Sequence, residues 1–454
     1  MFIKNMMKDK AFWKATLFIA VPVAFQNLLS NSFSLIDLLM IGGHGDDTIA
    51  AVGLAGQITF LQTIFLFGIC SGGMVFITQY WGAGNYPAIK RTYGMIMVNC
   101  AAVGFLFFAV SFLVPKFLMG LYTDDIAQIE IGAKYLRTVS VSYVFTALTM
   151  GFSFVLRSTE KVMIPLAANI FAVITNIVLN YAFVNGNLGF PALGVVGLAV
   201  ATDIAAIINP LLILLFSYFR KTILIAPLKE IFAFNLTGLK GYYSIALPVF
   251  INEVLWSLGT TAYNSIYGHM GSYAPVAIVK NIDNMVFVLF TGLCSACAVL
   301  IGKYVGNHDL KTAKEYSKRF LFLLPLSSLF AGGLVILCRG GILNFYTASD
   351  EALSIANILL FILSLEFIIR NISYICIVGI FRAGGDTKTG ALYDLICLWF
   401  IGLPVTFVSG ILLKLDIVTV YALMLFSEDT VKAIMCLKYY GTMKWIKPVS
   451  QIED

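Results

Sequence analysis

Ile19-Ala20-Val21-Pro22-Val23 lies in an apolar run over residues 15–41, and the chain writes it again as Ile245-Ala246-Leu247-Pro248-Val249 in a run over 241–268. Other pieces return in the same order. Gly68-Ile69-Cys70-Ser71 comes back as Gly292-Leu293-Cys294-Ser295, and Gln79-Tyr80-Trp81-Gly82 as Lys303-Tyr304-Val305-Gly306. With one small gap Gly84-Asn85 matches Gly306-Asn307, and Arg157 matches Arg382. Residues 1–227 are thus written a second time in 228–454. Runs of roughly 20 apolar residues cross a bilayer as helices. A membrane chain built from two like halves implies a transporter, because two related bundles can rock around a site between them.

The composition is 59% hydrophobic and 12% charged, with a mean hydropathy of +0.90, too apolar for one soluble core. Spanning runs are expected at 15–41, 49–78, 92–115, 131–154, 163–184, 190–218, 241–268, 274–302, 318–338, 353–378, 389–410 and 417–439. Backbone polar groups in hydrocarbon must bond within their own segment, and runs of this length do so as helices, whereas barrel strands would be shorter and alternating. The expected fold is an all-α integral membrane protein, with twelve transmembrane helices in two pseudo-symmetric six-helix lobes. The lobes would be 1–218 and 241–454, joined by a cytoplasmic linker over 219–240 that carries Arg220-Lys221, Pro227 and Lys229-Glu230.

Placing both termini in the cytoplasm puts 22 Lys and Arg inside and five outside, as the positive-inside rule requires. The net charge of +6 and pI of 8.7 belong to loops facing anionic lipid, so no nucleic-acid partner is expected. The first run is long and has no small-residue cleavage site after it, which reads as a retained helix and not a signal peptide. Eight cysteines sit almost wholly inside spans, where they pack as small apolar groups, and Cys294-x-x-Cys297 has no nearby His to make a metal site. His44, His269 and His308 are scattered in or beside loops, as solvated groups are.

An ionisable side chain at the centre of a bilayer costs about 2.5–3.5 kcal/mol and needs a partner or a task. Glu428 with Lys432, Glu366 with Arg370, and Lys280 with Asp283 stand one turn apart, where opposite charges can neutralise each other, and Asp429 joins the first pair. Asp37 has no cation within one turn. Asn176 and Asn180 share a helix face one turn apart, and Thr202 and Asp203 fall at a matching depth on the next span, so these groups converge on the outer half of the first lobe. One carboxylate with amide and hydroxyl oxygens suits a small hard cation, Na⁺ on Asp37, or a proton. The rival reading for the asparagines and the threonine is hydrogen-bonded helix glue. In the second lobe Glu253 is expected to be a lone midplane acid, in the place of Asn27 in the first copy, and Asp394 replaces Asn169. Pro22 and Pro248 fall at equivalent places and each permits a bend, so both are candidate hinges.

Taken together, the chain resembles the prokaryotic multidrug and toxic compound extrusion (MATE) transporters over nearly its whole length. The likeness rests on Pro22 with Asp37; Thr78-Gln79-Tyr80-Trp81-Gly82-Ala83-Gly84-Asn85; Leu156-Arg157-Ser158-Thr159; Asn176-Ile177-Val178-Leu179-Asn180; the run Phe190 to Thr202; Arg382-Ala383-Gly384-Gly385-Asp386-Thr387; and Lys444-Trp445. The resemblance implies two lobes that open alternately to either side and export small organic molecules, often cationic and amphipathic, against Na⁺ or H⁺. It implies that Asp37, Asn176, Asn180 and Thr202 form the first-lobe cation site. Some members carry Asp where this chain has Asn180, so one acid fewer is expected here. Glu253 matches the seventh-span acid, and Asn371 stands where some members have a tenth-span Asp; Glu253, Asp394 and Asn371 are the candidates for substrate or second-lobe proton binding. No cofactor beyond the coupling ion is implied, and the expected form is a monomer in the plasma membrane.

A flippase for lipid-linked oligosaccharide or lipid, of the same superfamily, is the alternative; it would carry a more cationic central cavity, whereas the unpaired intramembrane charges here are mostly acidic. A membrane-embedded enzyme would need a nucleophile or a metal cluster at the midplane. The sequence holds neither.

Overall fold

A computed structural model describes residues 6–271, 273–346 and 348–449, with the side chains of 33–35 left out. Twelve long helices follow one another: α1 (Lys10–Ile41), α2 (Asp46–Ala83), α3 (Tyr86–Leu113), α4 (Ile126–Ser158), α5 (Met163–Asn185), α6 (Gly194–Phe219), α7 (Leu236–His269), α8 (Tyr273–Gly306), α9 (Leu310–Leu343), α10 (Asp350–Gly384), α11 (Thr387–Leu412) and α12 (Ile417–Gly441). Among the described residues there is no strand, only an isolated bridge between Gly385 and Ile446. The protein is an all-α integral membrane protein of two six-helix copies. Eleven of the helices are apolar enough to span by composition; α12 has the length but carries Glu428, Asp429 and Lys432 in its middle.

Several helices start before the apolar run that announced them, because capping and not hydropathy sets a helix N-terminus. Asp309 caps α9 nine residues ahead of Lys318, where the apolar run was expected to begin, accepting from Thr312 N–H at 3.1 Å. Asp125 caps α4, Ser349 caps α10, Asp386 caps α11 and Asp416 caps α12 in the same way. Pro22 and Pro248 lie inside the continuous helices α1 and α7. In α10 and α11 the helix widens into π turns at Ile375–Phe381, Leu398–Gly402 and Val408–Leu412, a local geometry that accumulates at functional sites.

The chain gathers into two compact units, and their limits differ from a plain division at the linker. The first comprises Phe25–Ile77 and Tyr86–Leu239; the second comprises the residues up to Ala24, Thr78–Asn85 and Lys240 onward. Glycine explains the placement of Thr78–Asn85 and of the linker. In the second unit a Cβ on Gly82 would meet the Lys303 carbonyl oxygen at 1.9 Å, and one on Gly306 would meet that of Gln79 at 1.9 Å. The ends of α2 and α8 therefore cross backbone to backbone through two glycines that are repeat mates, which fixes Thr78–Asn85 there. In the first unit a Cβ on Gly94 would lie 2.0 Å from the Ile231 carbonyl, Ile231 is buried, and Lys90 pairs with Glu230. The segment expected as a linker is thus docked on α3.

The segment after α12 is built in as well. Trp445 is fully buried, Lys447 N–H donates to the Gly384 carbonyl at 2.7 Å, and Val449 N–H donates to Gln79 Oε1 at 2.8 Å.

Candidate functional site

In the first unit α5 and α6 form a tight hairpin. Gly186 turns the chain with φ +72°, and Gly197 has no side chain where a Cβ would lie 2.5 Å from the Phe183 carbonyl, so the two helices close together. That approach brings Asn176 and Asn180 of α5 against Thr202 of α6 and Asp37 of α1. Asn180 Nδ2 donates to Asp37 Oδ1 at 2.7 Å and to Asn176 Oδ1 at 3.1 Å. Thr202 Oγ1 lies 3.3 Å from Asp37 Oδ2 and 3.0 Å from the Leu198 carbonyl, and it accepts from Asn176 Nδ2 at 3.4 Å. Asp37, Asn176 and Asn180 are buried. No ion pair reaches Asp37 among the described residues, and the Asn180 side-chain oxygen is buried with no donor.

Asp203 does not join its neighbour Thr202. It turns to α4 and accepts from the Ser142 N–H at 2.8 Å, since adjacent helical residues point about 100° apart. Asn169 instead builds a neutral cluster, donating to the Gln26 carbonyl at 3.2 Å and accepting from Asn209 at 3.4 Å.

The second unit corrects several expectations. Glu253 is not a lone acid: Arg382 Nη2 donates to its Oε1 at 2.7 Å, and both side chains are buried. Arg382 lies in sequence at the polar end of α10, so a loop position was expected, yet the π turn before it keeps the helix going and carries the guanidinium inward. Asp394 is not merely wetted either. Lys432 holds it at 3.0 Å and Asn252 donates to it at 3.0 Å. Lys432 also binds Glu428 at 2.8 Å and Asp429 at 3.3 Å, as expected for groups one turn apart. The Glu366–Arg370 pair persists only as a looser contact, at 3.8 Å from Arg370 Nε, because Arg370 grips Asp283 with both terminal nitrogens, at 2.9 and 2.7 Å, and Lys280 reaches Asn264 at 3.5 Å. A bidentate guanidinium–carboxylate fork outcompetes a single-point contact. Asn371 donates to the Phe367 carbonyl of its own helix at 2.8 Å, and no contact in the structure brings it to Glu253 or Asp394.

Sequence reasoning missed Tyr263, whose hydroxyl donates to Glu428 at 2.6 Å. Gly402 makes room for that bond, since a Cβ there would lie 2.0 Å from the Tyr263 hydroxyl. Nothing in the sequence singles that glycine out, since it is one of three on α11.

The MatE family model matches residues 22–182 and matches again over 248–408. The chain belongs to the MatE family. Each matched stretch opens on a proline, Pro22 and Pro248, and the two together take in Asp37, Asn176, Glu253, Asn371 and Asp394. Among MatE relatives, the uncharacterized transporter YisQ of Bacillus subtilis is 25% identical over 97% of this chain and 96% of its own length. A probable multidrug resistance protein NorM of Thermotoga maritima is 23% identical over 96% of this chain and 93% of its own. Among solved structures, a MOP-superfamily transporter from Pyrococcus furiosus superposes with a TM-score of 0.85 at 17% identity, covering 97% of this chain and 96% of that one. A MATE protein in a bent conformation gives 0.84 at 16% identity, with 97% and 96% covered. These likenesses establish the fold of MatE transporters for this chain.

Proposed function

We propose that this MatE protein is an antiporter that exports small organic molecules, often cationic and amphipathic, across the plasma membrane in exchange for Na⁺ or H⁺, by alternating access of its two lobes. The observation that carries the reading is Asp37: a buried carboxylate hydrogen-bonded by the neutral side chains of Asn180 and Thr202, with no ion pair among the described residues. A permanently ionised group in that setting is costly, so it calls for an ion that comes and goes. Asp37, Asn176, Asn180 and Thr202 together offer carboxylate, amide and hydroxyl oxygens, and rotation of the Asn180 amide would turn its unpaired oxygen toward the carboxylate. A hard monovalent cation accepts such ligands; a proton would sit on Asp37 itself. The relatives named as multidrug resistance proteins support the drug-like substrate class, and the excess of Lys and Arg on one side supports cytoplasmic termini.

Purified protein in liposomes, assayed for dye efflux under an imposed Na⁺ gradient and separately under an imposed H⁺ gradient, tests the reading. Efflux driven by one gradient and lost in Asp37→Asn supports it. Gradient-independent lipid translocation in place of efflux would favour the flippase.

A further inference from the structure

Glu366, on α10, is fully buried, and neither oxygen of its carboxyl group has a hydrogen-bond donor. Its nearest cation is Arg370, one turn along, whose Nε lies 3.8 Å from it, too far for a hydrogen bond, while the rest of the guanidinium is turned elsewhere. Both terminal nitrogens bind Asp283 of α8, and its plane lies over the rings of Phe287 and Phe367 at 5.2 and 5.1 Å. Across from Glu366 on α12 stands Asp429, within hydrogen-bonding reach of it and held from its far side by Lys432 at 3.3 Å. Lys432 is itself shared with Glu428 of α12 and Asp394 of α11, and Tyr263 of α7 occupies the remaining face of Glu428. Tyr267 of α7, Cys397 of α11, and Tyr421 and Cys436 of α12 also stand against this cluster, and Glu253, paired with Arg382, lies near Asp394.

The charges do not balance. Among the described residues five carboxyl groups, on Asp283, Glu366, Asp394, Glu428 and Asp429, stand against three cations, Lys280, Arg370 and Lys432. A buried carboxylate without donors is among the costliest groups a fold can carry, and a second carboxylate beside it makes the cost larger. One proton between the two acids converts that repulsion into an O–H···O⁻ hydrogen bond, of the strong charge-assisted kind.

We propose that Glu366 and Asp429 hold one proton between them, forming a proton-binding site of the second unit that is separate from the Asp37 cluster and from the Glu253–Arg382 pair. Glu366 carries the proton and donates it to Asp429, which Lys432 keeps ionised. The site is defined by its proton alone and stands whether or not Asp37 couples transport.

Infrared spectroscopy of the full chain in lipid nanodiscs tests this directly, because an un-ionised carboxyl has its own C=O stretch. Wild-type minus Glu366→Gln difference spectra at neutral pH should contain one such band, which moves on transfer to D₂O. Asp429→Asn should keep the band but shift its frequency, since the acceptor changes from carboxylate to amide. Asp37→Asn should leave it in place. Should Glu366→Gln fail to fold, the Asp429→Asn shift decides alone. A spectrum with no Glu366-dependent band, or a band that Asp429→Asn leaves unmoved, overturns the proposal, and neither result depends on any transport assay.

Discussion

Arg382 and Glu253, 129 positions apart, meet at 2.7 Å inside the second unit, where each removes the other's cost of burial. Their repeat mates in the first copy are Arg157 and Asn27, so the arginine recurs in both copies and the carboxylate in one. Breaking one partner of a buried pair costs about 3–5 kcal/mol, because an uncompensated charge stays behind, whereas replacing both is far milder. Glu253→Gln should therefore lower the unfolding midpoint sharply, and Glu253→Gln with Arg382→Gln should recover most of it. A double mutant as unstable as the single one would show that the pair does not act as a unit.

At Asp37 the expectation is functional and not structural. Its partners are neutral, so Asp37→Asn should leave the fold intact and reduce gradient-driven efflux to the level of empty liposomes. Asn180→Ala removes the amide oxygen proposed to turn toward the cation, and a contact between an amide and a charged partner, worth about 1.5–3 kcal/mol, corresponds to a roughly ten- to hundredfold weaker cation affinity. Efflux measured against cation concentration separates the two: the first variant loses the maximal rate, the second shifts the half-saturating concentration.

Gly82 and Gly306 should resist any side chain. Gly82→Ala or Gly306→Ala drives a methyl into a backbone carbonyl, and overpacking of this kind costs about 1–3 kcal/mol or more. Gly333, on α9 with nothing within 4 Å of its would-be Cβ, is the control. Gly333→Ala should leave yield and melting temperature unchanged or raised, while the other two lower both.

Asp386, in the corner between α10 and α11, carries a pH signature. Burial pushes its carboxyl up, but hydrogen bonds from Tyr439, Lys447 and Thr389 outweigh that and hold it below its ordinary value of 3.8. A depressed carboxyl contributes stability that is complete above 3.8 and is lost as pH falls through the folded-state value. Asp386→Asn should thus destabilise the protein near neutrality, by about 1–3 kcal/mol for hydrogen bonds to a charged group, and the gap from wild type should close in acid. Thermal unfolding of both proteins across that range checks it.

The helical fold was legible because hydropathy and duplication are local, additive signals, and the Asp37 neighbourhood was legible because spacing along α5 and depth on α6 follow from helix geometry alone. Partner choice was not. Spacing paired Arg370 with Glu366, yet Asp283, 87 positions away on another helix, takes the fork. Arg382 read as a loop residue because nothing in the sequence marks a π turn, and Tyr263 gave no sign because a tyrosine among apolar residues is ordinary packing. Caps such as Asp309 were visible in principle, but the hydropathy edge drew attention a turn or two downstream.

The crossing of α2 and α8 at Gly82 and Gly306 has a consequence for how such a chain comes to exist. Each glycine is the docking notch for a backbone that the other copy supplies: Lys303 for Gly82, Gln79 for Gly306. A single ancestral copy could fill its own notch only with a second molecule of itself. Fusion of two genes would then have made permanent a partnership already in use. The two halves of the present chain, made as separate polypeptides in one membrane, should still find each other through those notches, and neither should persist when made alone.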